Sequence, residues 1–338
     1  CMVSGFSFLV TYFHPSVIGT FVKTLIVVSG GDAPGINAAI GRFVRLAEDN
    51  GHAVVGADGG FPAAIHQPLR RLTSGELAPL AGLAGSILAS SREPILAEDS
   101  ARRLLAERLA AEAVDSILLF GGNGTLRHIP PLLNALGIRC VSIPTTIDND
   151  VRGTERTLGF DSACNFAYQS VDGALATGYA LPGRIFTLET LGGSCGNLAL
   201  SVAHGSGAHA VLVPEVPYTH DWLAERVKAA LKRDRFALVV HSEGIAETRE
   251  LPDLLHRLTG TRVRDIRLGH AQRGAKPTHI DRTLAVEMAM IAYHSLLSGV
   301  RRAAVIVRDG KTQRYDDDLN LLPEAAFDEA RYREINNG

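Results

Sequence analysis

From Thr24 onward, short apolar runs alternate with longer segments whose apolar residues recur every three or four positions. The runs at 24–28, 53–55, 116–120, 139–143, 185–188, 210–214, 236–241 and 303–307 predict strands. After the first run, Ile36, Ala39, Ile40, Phe43, Val44 and Ala47 share one face of a helix, and Pro34 suits its first turn. The same spacing predicts helices over 96–112, 161–178, 195–205, 219–233, 247–259 and 280–297. Strands alternating with helices imply right-handed βαβ units and parallel sheets. Such sheets hold ligands at the carboxyl ends of their strands.

Composition narrows this picture. At roughly 150 residues per domain, 338 residues predict about two domains. No Pro/Gly/Ser-rich linker, repeat or low-complexity tract separates them, so tight crossings must join them. A hydrophobic content of 46% against 21% charged residues excludes global disorder. With 34 basic and 36 acidic residues, the chain has no overall pull toward nucleic acid or an anionic membrane. Cys1, Cys140, Cys164 and Cys195 form no CxxC pair, so neither a zinc site nor a disulfide framework is indicated. A reducing cytoplasm fits best. Residues 1–23 carry an apolar run at 6–13, which His14 and Pro15 end well short of the ~20 residues of a spanning helix. They also lack the marks of a signal peptide and are expected to be an extension outside the fold, not a membrane anchor.

Three loops at predicted strand ends suit phosphate chemistry. Gly30-Gly31-Asp32 precedes a helix, where glycines admit an anion and the helix start supplies free N–H groups. Gly121-Gly122-Asn123-Gly124-Thr125 repeats that arrangement. Either loop alone could equally be a strand-to-helix turn. Asp148 and Asp150 flank Asn149 directly after a strand: one carboxylate could accept a proton and the other hold Mg²⁺, or the trio could simply form a turn. Further on, His270 and Arg273 lie three apart and Arg264 six before His270, and arginine forks suit a substrate phosphate.

Together these segments resemble the phosphofructokinase family, in the family's order. The matching stretches are Gly30 to Ala39, the 121–125 loop, Thr146-Ile147-Asp148-Asn149-Asp150, Gly159 to Ala163, Glu189 to Gly196, Ser242-Glu243-Gly244, Leu268 to Gly274, and Asp281-Arg282. The resemblance implies two Rossmann-like three-layer α/β/α domains with mainly parallel sheets. A donor-binding domain would comprise 24–160 and about 272–322; a sugar-phosphate domain would comprise about 161–271 and 323–338. It implies phosphoryl transfer from ATP or pyrophosphate to the 1-hydroxyl of fructose 6-phosphate in glycolysis. By the match, Asp148 is the general base and Thr146 helps place the sugar. Asp150, with Asn123, would hold Mg²⁺. Gly31, Arg92, Gly122, Asn123, Gly124 and Thr125 would contact the donor. Arg184, Glu243, Arg264, His270 and Arg273 would bind the sugar phosphate. Arg184 and Arg264 match residues that serve a neighbouring subunit, which implies a homotetramer or homodimer.

The departures fall on the donor side. Asn123 replaces a metal-binding Asp of the family pattern, and Gly193 replaces an Arg that neutralises the moving phosphoryl. Gly124 matches ATP users, whereas Thr145 matches neither donor class. Gly41 replaces an Arg of the family's regulatory nucleotide site. Pro130 and Pro131 should bend or end the helix after the second glycine loop. A kinase of another sugar phosphate, such as a seven-carbon ketose phosphate, and a non-catalytic sugar-phosphate binder are the alternatives these losses leave.

Overall fold

Each apolar run becomes a strand, and the strands sort into two sheets in the computed structural model, which describes residues 22–337. The first sheet contains β1 (Lys23–Ser29), β2 (Ala53–Gly56), β3 (Arg70–Arg71), β4 (Ser116–Gly121), β5 (Arg139–Thr146) and the short β6 (Leu158–Gly159). The second contains β7 (Arg184–Thr190), β8 (Ala210–Leu212), β9 (Phe236–Ser242) and β10 (Arg262–Arg267). The chain then returns to the first sheet with β11 (Arg302–Arg308) and β12 (Lys311–Tyr315). The orders are β12-β11-β5-β4-β1-β2-β3, with β6 paired to β5, and β10-β7-β9-β8. Only the pairings of β3 and β12, both at edges, are antiparallel.

Helices cover both faces of each sheet, which makes two three-layer α/β/α units. Along β1, Ile26 and Val28 pack with the helices Ile36–Asp49 and His279–Leu297, while Leu25 and Val27 pack with Gly60–His66 and Asp99–Ala111. This alternation explains why the run is apolar throughout: a strand buried on both faces has no polar side. The second sheet is covered by Phe160–Ala180 and Asn197–Ser206 on one face and by His220–Asp234 and Leu251–Thr259 on the other. No helix among the described residues is long and apolar enough to cross a membrane. The expected extension at 1–23 lies outside the described residues except for its end, where Lys23 already opens β1.

Several expectations need correction. Pro34 is not in the first helical turn; that helix starts at Ile36, behind Gly35 at φ 99°. Gly30-Gly31 therefore does not sit directly on a helix start. Pro130 and Pro131 do not end their helix, which runs Asn123–Ala135. Proline at 131 has no N–H for the carbonyl of Arg127, and Asn320 Nδ2 donates to that carbonyl instead at 2.8 Å. β10, β12 and the last helix, Glu329–Asn337, were not anticipated.

Candidate active site

The two glycine loops meet at the carboxyl ends of the adjacent strands β1 and β4. A Cβ at Gly121 would stand 2.5 Å from Thr125 Cγ2, so only glycine lets the chain turn this tightly into the helix. Gly122 precedes that helix, and Asn123, Gly124 and Thr125 form its first turn, with their backbone N–H groups and the positive end of the helix dipole. The Thr125 hydroxyl donates to Ser29 O at 3.1 Å and ties one loop to the other. Residues 90 and 91 strap the first loop in place: Gly30 N donates to Ser91 O at 3.0 Å, and the Ser90 hydroxyl donates to Gly30 O at 2.8 Å. Arg92 is thereby delivered beside the loop. A cavity of about 430 Å³ opens here, lined by both loops, Arg92, Thr146, Asp148, Asp150 and Arg273.

The 146–150 segment leaves β5, next to β4, and forms the floor of this cavity. Asp148 N donates to the Thr146 hydroxyl oxygen at 3.1 Å, closing the turn. Asn149 takes a left-handed φ of 53°, which asparagine tolerates better than most residues. Its side chain accepts from Thr157 N at 2.8 Å and donates to Glu155 O at 3.1 Å. The turn anticipated for this trio is thus built on Asn149, which leaves both aspartates free to face the cavity. Asp148 Oδ1 and Asp150 Oδ1 are buried without a hydrogen-bond partner. Burial holds the Asp148 carboxyl above the usual carboxylate range, and nearby Arg273 and Thr146 pull it back. Burial first and the Asp148 charge second push Asp150 up to about 6, while the Asn123 side chain hydrogen-bonds it and opposes the rise. Buried carboxylate oxygens without donors, repelling one another, suit a hard divalent cation, and Asn123 stands beside them with a neutral amide.

Two arginines reach this cavity. A Cβ at Gly31 would lie 1.7 Å from Arg273 Nη1 and 3.3 Å from Arg92 Nη2, so both guanidiniums converge on the bare backbone of the first loop. Glu243 follows β9, and its Oε1 accepts from Gly192 N at 3.2 Å and Gly193 N at 3.0 Å. His270 is exposed on the turn Gly269–Gly274. Arg184 and Arg264 are not brought into the cavity of their own chain. Arg184 is the first residue of β7 and donates to Leu181 O at 2.9 Å, and Arg264 pairs with Phe186 near the same end.

Several contributors were not singled out from the sequence, although Cys195 and Gln272 lie within the matching stretches. Asn197 Nδ2 donates to Asn149 O at 3.0 Å and Cys195 Sγ lies 3.6 Å from Asp148 O, holding the carboxylate loop against the second sheet. Gln272 is fully buried; its Oε1 accepts from Leu191 N at 2.7 Å. His128 lines the cavity one helical turn beyond Gly124. That four-residue spacing was the one available clue.

A family model described as phosphofructokinase matches residues 23–296. The ATP-dependent 6-phosphofructokinase of Aquifex aeolicus is 34% identical over 290 residues, covering 85% of this chain and 90% of that protein. Its counterpart in Clostridium botulinum is 33% identical over 308 residues, covering 91% and 96%. Among solved structures, the phosphofructokinase of Saccharomyces cerevisiae superposes with a TM-score of 0.80 at 26% identity; 89% of this chain covers 45% of that longer one. A pyrophosphate-dependent phosphofructokinase from Marinobacter aquaeolei, 20% identical, has the same fold, with a TM-score of 0.79 over 94% of this chain and 92% of that one.

Proposed function

Because the chain belongs to the phosphofructokinase family, we propose that it transfers a phosphoryl group from ATP or pyrophosphate to the 1-hydroxyl of fructose 6-phosphate. The observation that carries this reading is the pair of buried, unpartnered carboxylate oxygens of Asp148 and Asp150 where the two glycine loops meet. A site that only bound a sugar phosphate would have no use for a bare buried carboxylate beside a phosphate cradle.

Asp148 is the general base. Its raised proton affinity suits a carboxylate that must take a proton from an alcohol near neutral pH. The 1-hydroxyl gives its proton to Asp148 as its oxygen bonds the donor's terminal phosphorus, and ADP or inorganic phosphate leaves. The Thr146 hydroxyl oxygen accepts from Asp148 N, and its own proton is free to orient the sugar. Gly31, Gly122, Gly124 and the first turn at Asn123 and Thr125 cradle the donor phosphates, with Arg92 beside them. Asp150 and Asn123 would hold Mg²⁺, which neutralises donor phosphate charge when bound. Glu243 Oε1 is occupied by Gly192 and Gly193, and its second oxygen can accept from sugar hydroxyls. His270 belongs to the sugar-phosphate side, and Arg184 and Arg264 serve the site of a neighbouring subunit in a homodimer or homotetramer. The lobe of the first sheet holds the donor and that of the second holds the sugar phosphate. A Cβ at Gly124 would meet nothing within 4 Å, and this open space favours the bulkier donor, ATP.

The test is product release from fructose 6-phosphate with ATP or pyrophosphate, for the natural protein and Asp148→Asn. Removing the base is expected to lower kcat by about 10²–10⁴-fold while leaving fructose 6-phosphate binding intact. A variant as fast as the natural protein would remove Asp148 from this role.

A further inference from the structure

We infer that Thr248 is a positioning residue of the active site: with Glu189 and His241 it holds the turn that carries Glu243 where Glu243 can meet the sugar. The inference rests on the phosphotransferase reading above and names a device which that reading does not include.

The turn at 243–250 leaves β9 and runs over the outer face of the second sheet to the helix Leu251–Thr259. Its first residue is pinned on the active-site side, where Glu243 N donates to Thr190 O and Glu243 Oε1 accepts from Gly192 N and Gly193 N. Its far end is pinned underneath. The Thr248 hydroxyl donates to Glu189 Oε2 at 2.6 Å and stands 3.4 Å from His241 Nδ1. Arg267 Nη2 donates to Thr248 O and to Arg249 O, each at 3.3 Å, while Arg267 Nη1 lies 3.5 Å from Glu189 Oε2. Strand register sets this row of anchors: Glu189 of β7 sits between His241 of β9 and Arg267 of β10. Two residues back along β7, the Thr187 hydroxyl donates to Asp265 Oδ1, and Arg267 Nε donates to Asp265 Oδ2, both at 2.7 Å.

This polar row stands where burial would favour apolar side chains. The same face of the sheet is apolar further down, at Ile185, Ala237 and Val239. Thr187 and His241 are fully buried, and the Glu189 side chain is only 13% exposed. Burial lowers the proton affinity of His241 against the pull of Glu189, so the ring is neutral. The single Thr248 hydroxyl proton goes to Glu189, so His241 Nδ1–H is the donor toward Thr248 Oγ1, and His241 Nε2 is left buried with no partner. An orphaned acceptor costs about 1–3 kcal/mol, which valine or leucine at 241 would avoid. A network that gives up stability in this way supplies what apolar packing lacks, which is direction. A hydrogen bond to a carboxylate fixes Thr248 in both distance and angle, and misplacing a positioned group by about 1 Å can cost about a hundredfold in rate.

The experiment compares the natural protein with Thr248→Val, Thr248→Ser, Glu189→Gln, Glu243→Ala and Glu243→Ala/Thr248→Val. Calorimetric binding of fructose 6-phosphate is paired with steady-state kinetics. Valine keeps the shape of threonine and removes the hydroxyl. It is expected to weaken fructose 6-phosphate binding and raise its KM about tenfold, with KM for the phosphoryl donor within about twofold of natural. Thr248→Ser keeps the hydroxyl and should bind the sugar phosphate within about twofold of natural. Glu189→Gln weakens the same strap from the other side and should reproduce the loss in the same direction. On the Glu243→Ala background nothing is left to position, so Thr248→Val should change sugar-phosphate affinity by less than about twofold. General loosening of the lobe would persist on that background, so additive effects overturn the inference. It is equally overturned if Thr248→Val and Glu189→Gln bind as tightly as the natural protein, or if Thr248→Ser is as weak as the valine variant. Should the natural protein bind fructose 6-phosphate but turn over neither donor, the phosphotransferase reading fails while the binding cycle still decides the role of Thr248. A natural protein that does not bind fructose 6-phosphate overturns both.

Discussion

At the scale of single residues, the metal corner of the site carries the sharpest consequence. Asp150 is pushed up to about 6 by burial and then by Asp148, so a proton and a cation compete for it in the physiological range. Its folded proton affinity is raised, so the carboxylate is empty of protons only above about 6, and Mg²⁺ affinity should fall as pH is lowered through that value. Asn123 softens the competition with a hydrogen bond but contributes no charge. Asn123→Asp adds one carboxylate to a site whose affinity follows ligand charge, and is expected to tighten Mg²⁺ binding on the order of tenfold and to raise kcat/KM. Titration of Mg²⁺ in the presence of donor, at pH 5.5 and 7.5, checks both statements. Weaker binding in the variant would mean that Asn123 is tuned to a different arrangement of donor and metal. Much of this corner was legible in the sequence, because the Asp-Asn-Asp trio and the glycine loops owe their form to local turn chemistry. The placement of Arg273 was not. Its spacing from His270 says that the two share a turn, but the direction in which the side chain leaves is set by Gln272, anchored to Leu191, 81 positions away in the chain.

At the scale of elements, legibility followed burial. Strands buried on both faces, such as β1, β4 and β9, stand out as apolar runs. β10 reads Arg262-Val263-Arg264-Asp265-Ile266-Arg267, an edge strand whose charges guard against unwanted pairing, and nothing local marks it as a strand. β12 is likewise an edge strand, polar along its length. The helix through Pro130 and Pro131 runs past the point where the prolines were expected to bend or end it, for a different reason: local chemistry opposes it and a tertiary contact restores it. Asn320 Nδ2 supplies Arg127 O with the hydrogen bond that Pro131 withholds, and Asn320 is itself set by Asp318, whose Oδ1 accepts from Asn320 N at 2.9 Å. Asn320→Ala is therefore expected to cost about 0.5–1.5 kcal/mol, toward the low end because the contact is exposed to water. The same substitution on a Pro131→Ala background should cost less, because the helix then makes its own bond. Thermal midpoints of the four chains form the double-mutant cycle that measures this coupling. Strict additivity would show that Asn320 does not stand in for the missing N–H.

At the scale of the whole molecule, the open question is how Arg184 and Arg264 contribute to a site that lies at the other end of their strands. Glu243 sits beside Thr190, the last residue of β7, since Glu243 N donates to Thr190 O at 2.9 Å. Arg184 is six residues back along that strand, and at about 3.3 Å per residue this places it about 20 Å away. No arginine side chain spans that distance. Near Arg184, Tyr179 is 68% and Leu181 50% exposed, an apolar surface at the same end of the sheet. If that end docks on the sugar-phosphate side of another copy, each active site combines Asp148 of one chain with Arg184 and Arg264 of its neighbour. Complementation tests this directly. Asp148→Asn chains and Arg184→Ala/Arg264→Ala chains should each be nearly inactive alone. When the two are unfolded and refolded together in equal amounts as a dimer, half of the assemblies are hybrids, and one site of each hybrid has every residue intact. About a quarter of all sites should then be whole, and activity should return to about that fraction of the natural level. Light scattering on the natural protein should give the mass of a dimer or tetramer at the assay concentration. An active species with the mass of one chain, or hybrids that stay as inactive as their parents, would show that each chain completes its own site and that these two arginines serve some other purpose.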